Sequence, residues 1–224
     1  MEKKYRLLEN DKMLIDNGNF AYRIVAVRAF SDIKCGEAGG YIQSEKNLSH
    51  LGDCWVGENA LVKENGLVCG NARIEGKTVI HGNATICGNA RISGGGEKSS
   101  PGERVDICGF ALVCDNARIR HTVTIKASAE IKDNARIENS AVIAGHARVG
   151  DNALVTGHAK VTDNARVGGD ACVRGYASVK QNAIVSGLAV ASGDAAITGY
   201  YVLTGARHVS KGVLCERKNP VKAA

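Results

Sequence analysis

The residues of this chain that could do chemistry share one interval. Arg73 and Arg91 lie eighteen residues apart, and so do Arg118 and Arg136, Arg148 and Arg166, Cys69 and Cys87, and His158 and Tyr176. Arginines so placed could receive an anionic ligand through their forked N–H donors. Two neighbouring thiols could react or bind a metal. An imidazole held beside a phenol could move protons. Each has a plainer reading: a solvated basic face, indifferent surface thiols, corner residues turned to water. The choice depends on what brings a residue beside the one eighteen places later.

From Ile107 to Leu203 an aliphatic residue stands at every sixth position except Ala191. Counting that residue as place one, places three and four hold pairs such as Asp115-Asn116, Gly145-His146 and Gln181-Asn182. These types accept positive φ and turn the backbone sharply. From Ile107 to Ala191, place five is Ala in every unit but one, where Val123 stands. Room there is limited to little more than a methyl group. Six residues are too few for a hairpin with useful strands on either side, but three such units close a triangular coil of eighteen. Stacked coils pair in parallel, and the fold predicted is an all-β parallel β-helix, a triangular prism of about eight coils. Ile107, Ile125, Ile143, Val161, Val179 and Ile197 should form one interior column, with each buried methylene contributing about 0.8 kcal/mol. An amphipathic helix is excluded, because the period is not 3.6 and Gly or Asn would fall in nearly every turn.

The pattern resembles the hexapeptide-repeat superfamily, which implies a left-handed coil. The runs KYRLLEND (4–11) and AVRAFSDIKCGEAGGYIQSEKNLSHLGDCWVGENA (26–60) further resemble the bacterial YdcK-like subgroup, whose members are labelled as transferases. Acyl-transferring members of the superfamily form trimers, with the acyl-CoA and a histidine general base in a cleft between prisms. That resemblance implies a base among His81, His121, His146 and His158. His158 has the best company, since Tyr176 lies one coil later, so the pair His158 and Tyr176 is the catalytic candidate, with acetyl-CoA or another acyl-CoA as cosubstrate. The ending KNPVKAA faintly resembles the GNPAK-like ending of many acyltransferases.

Residues 1–52 read as a small N-terminal β cap, with strands at 5–8 and 21–30 around a turn at 16–19. Residues 53–206 read as the β-helix and 207–224 as a basic C-terminal tail that folds back or frays. Larger residues at Tyr200, Tyr201 and Leu203 should plug the last coil. Between Ile92 and Ile107 the period slips by three residues, so the chain should leave the coil in a loop at 93–106. That loop is Gly-rich but lacks the GK[ST] of a P-loop; Glu97, Lys98, Glu103 and Arg104 could wall a groove. The N-terminal residues carry charge rather than a signal-like apolar core, and no run approaches the roughly 18 apolar residues of a membrane span. A cytoplasmic protein with its eight cysteines as free thiols is expected. No CxxC and no histidine at ligand spacing accompanies the thiols, so no metal site is predicted.

Three functions follow, in order of preference. The first is a non-catalytic scaffold that binds a protein partner or itself, possible as a homotrimer, through flat faces where Leu154, Cys172 and Val190, and Ile184 and Val202, stack outward. The second is the acyl-CoA-dependent acyltransferase. The third is a binder of nucleic acid or an anionic nucleotide through Arg118, Arg136, Arg148, Arg166, Lys98 and Arg104, consistent with the net charge of +6.

Overall fold

The computed structural model describes residues 2–57, 59–95 and 103–217. Its short strands fall into three sheets, one per face of a triangular prism. Face one has twelve strands; face two has nine and begins at Trp55–Val56; face three has eight and begins at Leu67–Val68. Within the prism the strands pair in parallel and in register, as in Ile107↔Ile125, Ile125↔Ile143, Ile143↔Val161, Val161↔Val179 and Val179↔Ile197. The predicted interior column therefore forms, and all of its members are fully buried. The nine strands of face two set the number of coils at about nine. The additional coil comes from segments outside the strict period, notably Leu48, bridged to Val68, and His208–Val209.

The corners explain the residue types of place three. Asp115, Asp133 and Asp151 have φ of 56°, 57° and 52°. The carboxylate of each accepts the backbone N–H of the residue one coil on: Asp133 at 3.2 Å, Asp151 at 3.0 Å and Gly169 at 2.7 Å. Asp thus tolerates the left-handed backbone and also supplies an acceptor, which Gly cannot. The neighbouring place is an amide ladder in which Asn71, Asn89, Asn116, Asn134 and Asn152 each donate Nδ2–H to the next rung at 3.0–3.3 Å.

At the N-terminal end, β1 (Tyr5–Leu14) and β2 (Phe20–Ala26) form an antiparallel hairpin joined through a short 3-10 turn at Asp16–Gly18. β1 runs further than the sequence suggested. β2 pairs with β3 (Ala38–Ile42), and β3 pairs in parallel with Leu61–Val62, so the hairpin extends face one. Lys4 is buried beneath it and donates to the carbonyls of Gly52 at 3.1 Å and Cys54 at 2.9 Å. Burial lowers the Lys4 pKa and raises that of the Cys54 thiol beside it.

At the far end, His208–Val209 pairs with Val190–Ala191 and Val213–Glu216 pairs with Ala196–Gly199. The ladder therefore continues through Glu216, past the expected boundary at 206; residues 218–224 lie outside the described residues. Leu203 is buried, Tyr201 is partly buried and Tyr200 is exposed. Among the described residues no helix is long and apolar enough to cross a membrane.

Because Ile125 packs between Ile107 and Ile143 with no exposure, Ile125→Ala should cost about 2–5 kcal/mol. Urea unfolding followed by circular dichroism checks this as a lower midpoint with an unchanged native spectrum.

Candidate functional site

The period slip identified in the sequence decides where side chains meet. The strand Arg91–Gly94 pairs with Arg118–His121, a separation of twenty-seven residues in place of eighteen, and Val105–Ile107 resumes face one beneath Thr78–Ile80. The detour leaves the coil register intact while bringing residues from beyond it under those before it.

On face one this places Asp106 against His81. His81 Nε2 is 3.0 Å from Asp106 Oδ1, and His81 Nδ1 is 3.9 Å from Glu64 Oε2. Asp106 Oδ2 accepts from Arg104 Nη2 at 2.9 Å, while Glu64 Oε2 accepts the Gly82 N–H at 2.7 Å. Met13, Leu14 and Ile15 wall a cleft of about 380 Å³ over these residues. An Asp16–Lys63 ion pair fastens this end of the hairpin to the prism. An ionised Asp106 can only accept, so the paired imidazole carries its proton on Nε2 and leaves Nδ1 as the basic nitrogen.

Cys108 lies beside this pair, and the donor atoms of His81, Asp106 and Cys108 are all within 4.8 Å of one another. Nitrogen, oxygen and sulfur donors of this kind suit a divalent transition metal, although Arg104 occupies one oxygen of the shared carboxylate. The spacing of such a set is hidden in the sequence because the detour intervenes.

The predicted pair His158 and Tyr176 forms an exposed parallel stack, with ring centroids 4.9 Å apart and 8° between planes. Among the described residues no carboxylate accepts a hydrogen bond from His158. His121 and His146 are exposed corner residues. Lys98 lies outside the described residues, whereas Arg104 lines the His81 cleft.

The arginines require a correction. Arg73 and Arg91 were expected in one column and Arg118 and Arg136 in another, yet Arg73↔Arg91, Arg91↔Arg118 and Arg118↔Arg136 are consecutive rungs of one face-two column. The detour joins the two pairs. Arg148 and Arg166 form a column on face three, where Glu130 sits above Arg148 and accepts from its Nε at 3.1 Å. Like charges at 4 Å repel by about 1 kcal/mol in water and about 4 kcal/mol near a protein surface. Face three thus has a carboxylate in its arginine column, while on face two Asp32 pairs with Arg73 from outside the column and Glu75 and Glu138 stand in the column beside it.

Below Arg136 the same column turns apolar through Leu154, Cys172 and Val190, all half-buried. On face three Ile184 is half-buried and Val202 is 44% exposed.

The cysteines are free thiols. Cys69, Cys87 and Cys114 interact in series; burial pushes each up, and the Cys114 thiol, which also bonds to Asp115 at 3.5 Å, is pushed up to about 12. Cys114 joins the pair across the detour. Thiols held in this form are poor nucleophiles. Iodoacetamide at pH 8 should first label the exposed Cys35 and Cys215, with Cys69, Cys87, Cys108 and Cys114 lagging, as read by peptide mass spectrometry.

A family model for the YdcK β-solenoid repeat matches residues 68–82. Among solved structures the chain is similar to a UDP-N-acetylglucosamine acyltransferase from Campylobacter jejuni, with 21% identity over 72% of this chain and 69% of that chain and a TM-score of 0.48. It is also similar to a UDP-N-acetylglucosamine O-acyltransferase from Moraxella catarrhalis, with 17% identity over 73% of this chain and 68% of that chain and a TM-score of 0.44. No curated protein matches the sequence. The three parallel faces and the six-residue period define the fold as a triangular parallel β-helix, and residues 68–82 match the YdcK β-solenoid repeat.

Acid should open the hairpin end of the cleft before it melts the prism. The hydrogen bond from Lys63 and its charge hold the Asp16 carboxyl below the usual range, and the Tyr41 hydroxyl, followed by Arg23, does the same for Asp11. A depressed carboxyl contributes stability that is complete above its unfolded pKa of about 3.9 and is lost as pH falls through the lower folded value. Hydrogen exchange in residues 5–26 should therefore accelerate as pH drops below about 4, relative to the intrinsic rate, while residues 123–161 remain protected.

Proposed function

We propose that this chain is an acyltransferase whose general base is His81, positioned by Asp106. The observation that carries this reading is the 3.0 Å contact between His81 Nε2 and Asp106 Oδ1 at the floor of a cleft. A histidine oriented by a carboxylate, with its other nitrogen free to take a proton, is the arrangement that general-base catalysis requires. The resemblance of the repeat to acyl-transferring hexapeptide proteins supplies the reaction class. His81 Nδ1 takes the proton of an acceptor hydroxyl or amine, whose oxygen or nitrogen attacks the carbonyl carbon of an acyl thioester. The carbon–sulfur bond breaks, and the thiolate leaves and collects a proton. Arg104, held at the rim by Asp106, is placed to meet negative charge on either substrate.

The apolar rungs of faces two and three support self-association, with Leu154, Val190, Ile184 and Val202 covered by a second copy. The same rungs favour the second reading, a non-catalytic protein that binds a partner through its flat faces.

Release of free CoA from acetyl-CoA and longer acyl-CoA, followed by mass spectrometry with amino-sugar and amine acceptors, tests the proposal. The expected result is acceptor-dependent release that falls about 10²-fold or more in His81→Gln and is reduced in Asp106→Asn, while His158→Gln retains activity. Loss of activity in His158→Gln with His81→Gln active would move the base to the exposed stack. Absence of transfer with every donor and acceptor would leave the binding reading, and light scattering would then report the self-association.

A further inference from the structure

We propose that the arginine column of face two is a binding site for a linear polyphosphate group, such as the phosphate chain of a nucleotide. Arg73, Arg91, Arg118 and Arg136 are successive rungs of a parallel ladder, in register. Adjacent rungs are separated by about 4.8 Å, so the lower three span roughly 10 Å. Arg120 follows Ile119 in the Arg118 strand, and a groove of about 510 Å³ runs past Arg73, Arg91, Ser93 and Arg120. Asp32 closes its upper end by pairing with Arg73. Glu75 lies at that end too.

Below Asp32, Arg91, Arg118, Arg120 and Arg136 are exposed and make no ion pair with a described residue. The arginine column of face three shows the alternative. There Glu130 occupies the rung above Arg148 and pairs with it. In the face-two column three consecutive guanidinium rungs follow one another with no carboxylate between them, the acids Glu75 and Glu138 standing in the neighbouring column. Like charges fixed at strand spacing repel, so the column is best satisfied when an anion of matching repeat lies along it. A chain of phosphates presents pairs of oxygens in a row, which suits a straight series of forked donors better than one compact anion does. This site lies on a different face from the His81 cleft and does not depend on acyl transfer there.

Isothermal titration with inorganic tripolyphosphate, at low and at physiological salt, tests the proposal. The expected result is one site per chain, with affinity falling as salt rises. Arg91→Gln or Arg118→Gln should weaken it about 10-fold or more, the scale of a lost charge-assisted hydrogen bond. Arg166→Gln, on face three, should leave it within about twofold of the parent. Circular dichroism and the melting temperature show whether each variant retains the prism. Equal weakening in all three variants, or no binding at low salt, overturns the proposal. Binding of a single-stranded oligonucleotide without binding of tripolyphosphate also overturns it and assigns the column to nucleic acid.

Discussion

Parallel stacking of coils at hydrogen-bond distance is the constraint from which the other properties of this molecule follow. A rung at Ile125 must accept and donate to the rungs above and below it, so its side chain meets Ile107 and Ile143 whatever else the sequence requires. The corner must then bend identically in every coil, which demands positive φ at a fixed place and room for only a methyl at the next small position. Outward positions are bound by the same rule. A residue cannot choose its neighbour; it inherits the one a coil away. Columns of like residues are therefore a product of the backbone, and their chemistry is collective.

Such columns are stable where like residues cooperate and costly where they oppose. Asparagines cooperate, since each amide both donates and accepts, and the run from Asn71 to Asn152 links five coils at one corner. Buried aliphatics cooperate by excluding water, each side chain worth about 1.5–3 kcal/mol. Arginines oppose. Face three relieves the opposition with Glu130 inside the arginine column, whereas on face two the acids Glu75 and Glu138 stand in the neighbouring column and Asp32 pairs with Arg73 alone. The difference between the faces is electrostatic, since strand geometry is the same on both.

The interior column and the corner residues are legible in the sequence because each depends on residues at fixed separation within an uninterrupted run; of the loop expected at 93–106, strand pairing continues to Gly94 and resumes at Val105. The contacts across the detour are not legible in this way. Ile80 to Ile107 spans twenty-seven residues, and nothing in the spacing says whether the coil resumes beneath the last one or displaced from it. That single uncertainty separated Arg91 from Arg118, Cys87 from Cys114 and His81 from Asp106. The stack of His158 on Tyr176, which lies within the regular run, was by contrast readable from an interval of eighteen. The coil count fell short for a related reason: Leu48 and His208–Val209 obey the hydrogen-bond ladder without obeying the aliphatic period.

The position of the candidate chemistry follows from the same geometry. A perfect prism has flat faces, and a flat face can pair unlike groups, as Glu130 with Arg148, but places no wall over them to exclude water. Acid, base and cation meet beneath such a wall where the repeat is broken. The detour brings Asp106 and Arg104 from beyond the break to His81 before it, and the hairpin end at Met13–Ile15 adds the wall that a prism lacks. Both elements contribute: the detour brings Asp106 and Arg104 to His81, and without the hairpin the pair would stand on an open face. The regular coils supply rigidity, holding both partners on strands fixed by parallel hydrogen bonds, while the two irregular segments supply the difference between residues that chemistry needs.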